Sequence, residues 1–448
     1  MVKKLARYTG KSEAEIRRLM QEAATRAMEA EDEIYYHYGK EPTPFADNAT
    51  LQALLNAGYQ QTAGTFHNLT ATTANTVSGQ FEAALDRAHL KVSSGAFDYK
   101  SAIKSAVDSL ADTMKYVTYP TGHTDTLEVA CRRAVLTGVN QTGAKLQVAR
   151  ADEMGVEFFE TTAHGGARPS HAEWQGRQFH RGGAVDYMGK HYPDFEAATG
   201  YGTGAGLCGW NCRHTFFSIF PELGPAPAWT QVDLEALTAR DIEYNGGRYT
   251  RYEISQMQRA RERTVRKYKR RYLAEDAAGA DTTASAVKLR QARQELADFI
   301  SATGGRADSA RTSVAGFGRS ASSKASFLAR KQEHFDAANT ELQQMRENGI
   351  IKSTGKLIEA PSAPNELIVN RDHVFQRMIE RNMTLADCDK IIESSKVALS
   401  QWNGGQTVYY SEQGFVAVRA NGVISTLGPL DEGGKKLMEV AKKHGIPH

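Results

Sequence analysis

Glycine punctuates residues 164–221 so densely that no long helix can run through them. The stretch opens as HGGARPSHAEWQGRQFHRGG and, after a spacer, closes as TGYGTGAGLCGWNCRHTFFSIFP. It also carries Trp174, Trp210, two of the chain's four cysteines (Cys208 and Cys212) and five of its thirteen histidines, at 164, 171, 180, 191 and 214. Large aromatics and soft ligand atoms in such a frame describe neither a linker nor an ordinary surface loop. Two arrangements would hold it folded. In one, Cys208, Cys212 and His214 are joined by His171 as a tetrahedral set for a structural zinc ion, although C-x3-C-x-H departs from the usual finger spacings. In the other, Trp174 and Trp210 nucleate an aromatic minicore and the cysteines pack as small apolar side chains.

At 448 residues the chain is long enough for two or three domains, each with its own core. A hydrophobic content of 41% and a charged content of 24% are ordinary for a water-soluble protein. The net charge of +3 is nearly neutral, so any affinity for nucleic acid must come from local clusters. Four scattered cysteines argue against a disulfide framework and for a reducing cytosolic origin. The basic start MVKKLARYTG is followed by no apolar core, and no apolar run approaches a membrane span, so neither a signal peptide nor a membrane partner is expected.

Taken in order, Ser12 and Glu15 predict a capping box opening a helix through about Tyr36, with Ile16, Met20, Ala23, Ala24 and Met28 on one face. Residues 49–115 read mainly as helices broken at SSGAFDY, with polar positions such as Thr70, Thr72, Thr73, Asn75 and Thr76 suited to water or other chains. TYPTGHTDT reads as a loop, and Asp125 or Thr126 starts a stronger helix. VEFFETT is a strand candidate leading into the glycine-rich stretch, and ELGPAPAWT after it is a proline-rich turn.

Residues 250–301 predict a helical hairpin. Ile254, Met257, Arg261, Val265, Tyr268 and Tyr272 form a seam, AEDAAGAD is the turn, and Leu289, Ala292, Leu296, Phe299 and Ile300 form the returning face. The first arm is rich in cations, among them Arg259, Arg263, Arg266, Lys267, Lys269, Arg270 and Arg271. Two uses fit: sequence-independent phosphate contacts with DNA, or a solvated face paired to acidic neighbours. GGRADSARTSVAGFGRSASSKAS, from 304, predicts a flexible junction, followed by a helix over Phe327–Asn348.

The segments HGGARPSHAEWQG and TGYGTGAGLCGWNCRHTFF resemble the signature of the phage minor capsid protein 2 family, relatives of Mu F-type head proteins. CRRAVLTGVNQT at 131–142, QMQRARERTVRKYKRRY at 256–272 and VAGFGRS at 314–320 agree, so the resemblance spans roughly residues 1–320. It implies a structural component of a tailed-phage head, associated with the portal and present in few copies. Its partners would be the portal protein, the major capsid protein and packaged DNA. It implies no catalysis in this region.

The last hundred residues follow a different pattern. IIKSTGKLIEAP reads as a short hairpin, and NRDHVFQRMIERNM as a helix on which His373, Arg377, Glu380 and Arg381 share one face. Thr384 with Asp387 caps a second helix. QTVYYS, GFVAVRA and GVISTLG then read as a three-stranded antiparallel sheet, with Asn421-Gly422 as a two-residue hairpin turn. Two helices followed by a sheet, with H-x3-R-x2-E-R on the helix, resemble the BECR-type ribonucleases, the superfamily of barnase, EndoU and RelE, over about 90 residues. Metal-free RNA cleavage needs proton transfer and phosphate-binding cations. The resemblance assigns the former to His373 or Glu380 and the latter to Arg377 and Arg381, with Tyr409 or Tyr410 stacking a base and Thr426 positioning the phosphate. The competing use of the same helix face is a salt-bridged surface of His373 and the arginines with Glu380 and Asp372.

The sequence therefore predicts an α+β chain with four segments: a mainly helical minor-head domain at 1–240 with an irregular Gly/Cys/His core, a basic hairpin at 241–302, a linker and helix at 303–345, and a nuclease-like domain at 346–448. The expected protein is made in the bacterial cytoplasm and resides in the virion, at the portal vertex or head interior. No cofactor is required beyond a structural zinc in the metal reading. RNA would be the tail's substrate, with an immunity protein silencing it. The rival is a purely structural adapter whose tail is a non-catalytic binding module.

Overall fold

The computed structural model describes residues 13–65, 116–118, 124–224, 226–364, 366–369 and 372–447. Ser12, the polar positions Thr70 to Thr76 and the SSGAFDY break lie outside these residues. The chain is α+β, and its contacts divide it into two compact units. One comprises residues 1–281 and 291–318, the other residues 282–290 and 319–448.

In the first unit, α1 (Glu13–His37) is the long amphipathic helix expected from its periodic apolar face. Residues 49–65, also helical, form α2. The segment read as a loop around TYPTGHTDT instead contributes two short paired strands, β1 (Tyr116–Thr118) and β2 (Thr124–Thr126). The following helix, α3, runs from Leu127 to Met154. Met20, Ala24 and Met28 on α1 join Leu51, Leu55 and Leu146 in one core. The α1–α3 pairing also contains charge: Arg150 is fully buried and its Nε lies 2.8 Å from Asp32 Oδ1.

A second core is aromatic. Strand β3 (Phe158–Thr161) follows α3 as VEFFETT predicts, then comes the single turn α4 (Pro169–Ala172). After β4 (Gln178–His180) a small hairpin follows, β5 (Val185–Tyr187) with β6 (Lys190–Tyr192). Short α5 (Phe195–Thr199) and β7 (Phe216–Ser218) complete the region. Strand order is β4-β3-β7, all antiparallel. Phe159, Phe179, Phe195, Phe216 and Phe220 are buried over this sheet with Trp174. Helices α1 and α3 are tied to β7 by polar contacts: Tyr35 Oη and Ser218 Oγ lie 2.7 Å apart, and Gln147 Nε2 donates to the Phe216 carbonyl at 2.7 Å.

Helix α6 (Gln231–Thr238) and the hairpin of β8 (Ile242–Tyr244) with β9 (Gly247–Tyr249) were not foreseen. The basic hairpin follows. Thr250 and Glu253 form a reciprocal capping box at the start of α7 (Arg251–Ala277), which turns into α8 (Thr283–Thr303). Ile254, Val265 and Tyr272 are buried on one side, Ala292 and Phe299 on the other. The guanidinium of Arg261 lies 4.1 Å from the centre of the Phe299 ring. The presumed flexible junction is shorter than composition implied. It contains α9 (Ser309–Thr312), and α10 already begins at Arg319 and runs to Glu347, because Ala325 and Ala329 supply buried positions that a reading for bulky residues overlooks.

The second unit centres on five antiparallel strands in the order β10-β11-β12-β13-β14, not three. These are β10 (Lys356–Glu359), β11 (Val397–Gln401), β12 (Gln406–Ser411), β13 (Gly414–Arg419) and β14 (Ile424–Gly428). KLIE does not turn back on IIKST as a local hairpin; it pairs with β11, Leu357 opposite Leu399. Between β10 and β11 lie α11 (Asp372–Glu380) and α12 (Leu385–Ser394), the latter with its predicted Thr384–Asp387 cap. A last helix, α13 (Glu432–Lys443), was not foreseen. Strand alternation sends Val397, Leu399, Val408 and Tyr410 to a core with α10 and α13. Ala398, Tyr409, Val416 and Val418 face a second core with α11 and α12. The sheet is therefore covered by helices on both faces.

Candidate functional site

The glycine-rich stretch gathers His171 from α4 with Cys212 and His214 from the loop before β7, their ligand atoms all within 4.8 Å of one another. His171 and His214 are buried and Cys212 half-buried. Cys212 Sγ lies 3.7 Å from His171 Nδ1 and 3.5 Å from His214 Nδ1. Cys208, the fourth member of the expected set, lies outside this trio; its thiol points to the His214 carbonyl at 3.5 Å. The aromatic reading holds for Trp174, whose ring packs 4.6 Å from His171 and 4.8 Å from His214. It fails for Trp210, which is 57% exposed.

The surrounding hydrogen bonds decide the imidazole tautomers. His171 Nε2 faces the Ala205 carbonyl at 2.8 Å, an acceptor only, so the proton sits on Nε2. His214 Nε2 lies 3.2 Å from Gln175 Oε1. That same atom accepts from the His164 backbone N–H at 3.1 Å, which identifies it as the amide oxygen and places the His214 proton on Nε2. Both Nδ1 lone pairs therefore converge on one sulfur. Asn140 of α3 holds the loop by donating to the carbonyls of Cys212 and His214, both at 3.3 Å. Sequence reading missed Gln175 and Asn140, since nothing local marks an amide as an orienting group.

Burial, aided by His164, His171 and Arg168, pulls the His214 imidazole down to about 3. His164 and His171 are lowered for the same first reason. Burial also pushes the Cys212 thiol up. Each shift favours the uncharged side chain, the opposite of what would make a thiolate–imidazolium pair for a nucleophilic cysteine.

In the second unit α11 lies along the edge strand β14 and brings part of the predicted set together. Arg377 donates to Thr426 Oγ1 at 2.6 Å, His373 Nε2 lies 3.4 Å from the Ser425 carbonyl, and Arg381 donates to the Leu427 carbonyl. His373 and Glu380 are exposed, Glu380 accepting from Gln376 at 3.0 Å. The tyrosines do not join them. Tyr409 is 3% exposed beneath α12, and Tyr410 is 7% exposed on the opposite face. Neither ring is open to a stacking base, because both strand faces are covered.

The seven cations chosen on α7 do not form one solvated stripe. Arg263 is exposed; Arg259, Lys267, Lys269, Arg270 and Arg271 are half-buried, and Arg266 is buried. Arg266 donates to the Arg311 carbonyl and Lys269 to the Thr312 carbonyl at 2.6 Å, so two of the charges hold α9 in place.

The sequence profile of the family described as Phage minor capsid protein 2 matches residues 1–301, a span that contains the whole histidine–cysteine cluster and the basic hairpin. No curated protein and no solved structure matches the chain.

Proposed function

The chain belongs to the phage minor capsid protein 2 family and is thus a structural head protein, and from that premise we propose that its body is held at the portal vertex while its C-terminal unit is a separate module carried within the head. The observation supporting a two-part protein is that the family match ends at residue 301, whereas residues 319–448, with 282–290, have their own sheet and two cores. The exposed Arg263 side of α7 faces packaged DNA through phosphates, without sequence choice. No helix among the described residues is long and apolar enough to cross a membrane. The test is the protein content of purified particles. The chain should occur at low copy number and vanish from heads assembled without portal protein; equal abundance in portal-less heads would overturn portal attachment.

A second reading of the C-terminal module is favoured by one cluster. His373, Arg377 and Thr426 meet at the α11–β14 junction, with a proton-transfer group beside a cation and a hydroxyl. That combination suits a phosphodiester, and cleavage of RNA is the activity it would support. Its test is RNA degradation by the full-length chain, with a non-catalytic binding module as the alternative outcome.

A further inference from the structure

We propose that His171, Cys212 and His214 bind one zinc-class divalent cation, with Cys208 excluded and the fourth position left to an exchangeable donor. Two geometric facts and one consequence of them carry this. First, a tetrahedral ion with Zn–S about 2.3 Å and Zn–N about 2.0–2.1 Å spaces its sulfur and nitrogen ligands about 3.6 Å apart. The two sulfur–nitrogen distances here are 3.5 and 3.7 Å. Second, both imidazoles are oriented from behind, His171 by the Ala205 carbonyl and His214 by the Gln175 amide oxygen. Donation from the far ring nitrogen to a fixed acceptor is how metal-bound histidines are held.

Third, hydrogen bonding alone leaves the cluster unsatisfied. Each Nδ1 is an acceptor once its Nε2 carries the proton, and both face the same sulfur. One S–H can donate to only one of them. The other buried lone pair would face sulfur without a proton, an arrangement folded proteins avoid. A single cation accepts both lone pairs and the thiolate together. The Trp174 ring packs against both imidazoles, tilted to His171 and edge-on to His214. The ion would pin the turn after β3 to the loop before β7, giving the glycine-rich stretch its missing cross-link.

The experiment uses the full-length chain. Elemental analysis after purification should find about one zinc per chain. Replacement by Co2+ should give a strong thiolate-to-metal absorption band. Cys212→Ser should abolish the band and Cys208→Ser should leave it intact. Gln175→Ala, which removes an orienting group and no ligand, should weaken Co2+ binding about 10–100-fold and covers the case in which Cys212→Ser fails to fold. A folded wild-type chain that takes up neither Zn2+ nor Co2+ would overturn the proposal, as would a band indifferent to Cys212→Ser. Loss of the band with Cys208→Ser would overturn the three-residue assignment.

Discussion

Arg150 and Asp32 face each other inside the helical body, Nε to Oδ1 at 2.8 Å, with the guanidinium wholly shielded from water. A second carboxylate, Glu153, takes the Nη1 group at 2.8 Å. Charges removed from water at this depth are tolerated only as a matched set. Arg150→Ala should therefore destabilise the first unit by about 3–5 kcal/mol, chiefly by stranding Asp32. Arg150→Met combined with Asp32→Asn should lose much less. Denaturant titrations of the wild type and these two variants test this; a double variant as unstable as Arg150→Ala would mean the pair acts through packing and not charge.

Lys269 offers a pH test of the basic helix. Burial, with Arg293 and Arg266 nearby, brings its ammonium down to about 8 from an ordinary 10.5. Between those values the unfolded chain binds more protons than the folded one, so this residue makes stability rise with pH across that window. In Lys269→Met the contribution is absent. Melting temperatures of the two proteins should diverge as pH goes from 8 to 10.5, the wild type gaining on the variant. Parallel curves would show that Lys269 is as free to hold its proton as a surface lysine.

What could be read beforehand follows the physics of each signal. Long helices were legible, because apolar periodicity and caps such as Thr384–Asp387 are local. Strands β12 to β14 were legible from alternation, but the turn between β13 and β14 is not the two-residue Asn421–Gly422 hairpin: Arg419 N–H donates to the Val423 carbonyl and leaves Ala420, Asn421 and Gly422 as a three-residue loop. Strand β11 was not: VALSQ follows α12 after only two residues, with no glycine or proline between them, so nothing local separates helix from strand. For the histidine–cysteine cluster, spacing named His171, Cys212 and His214. It could not show that the Cys208 thiol points to the His214 carbonyl, nor nominate Gln175. The burial of Tyr409 and Tyr410 was not legible because a sequence does not show that helices cover both faces of the sheet.

Close backbone approach within the glycine-rich stretch yields a sharper mutational contrast. A Cβ on Gly206 would sit 2.0 Å from the Gly200 carbonyl oxygen, whereas one on Gly143, in α3, meets nothing within 4 Å. Gly206→Ala should cost about 1–3 kcal/mol or more as the loop is pushed apart. Gly143→Ala should be neutral or stabilise by up to about 1 kcal/mol through helix propensity. Tryptophan fluorescence during unfolding reports both, since Trp174 lies in the same core. Equal stability of the two variants would mean that the 200–206 loop has no fixed conformation to protect.

The α11–β14 cluster gives the final prediction, in which catalysis and architecture part company. If the C-terminal unit cleaves RNA, His373→Ala removes the proton-transfer group and should slow cleavage by the full-length chain about 10²–10⁴-fold. Arg377→Ala should act in the same direction, because it removes the cation held 2.6 Å from Thr426. Both side chains lie on the outer part of the unit, so the melting temperature should change little. Tyr409→Phe should do the reverse: its hydroxyl makes only a 3.4 Å contact with the Ser362 carbonyl within a covered core, so cleavage should persist and any loss should be of stability. Cleavage insensitive to His373 and Arg377 would assign it to a contaminant, and a chain that binds RNA through Arg377 without cutting it would make the unit a binding module. In either case the exposed histidine would be a surface residue with no part in proton transfer.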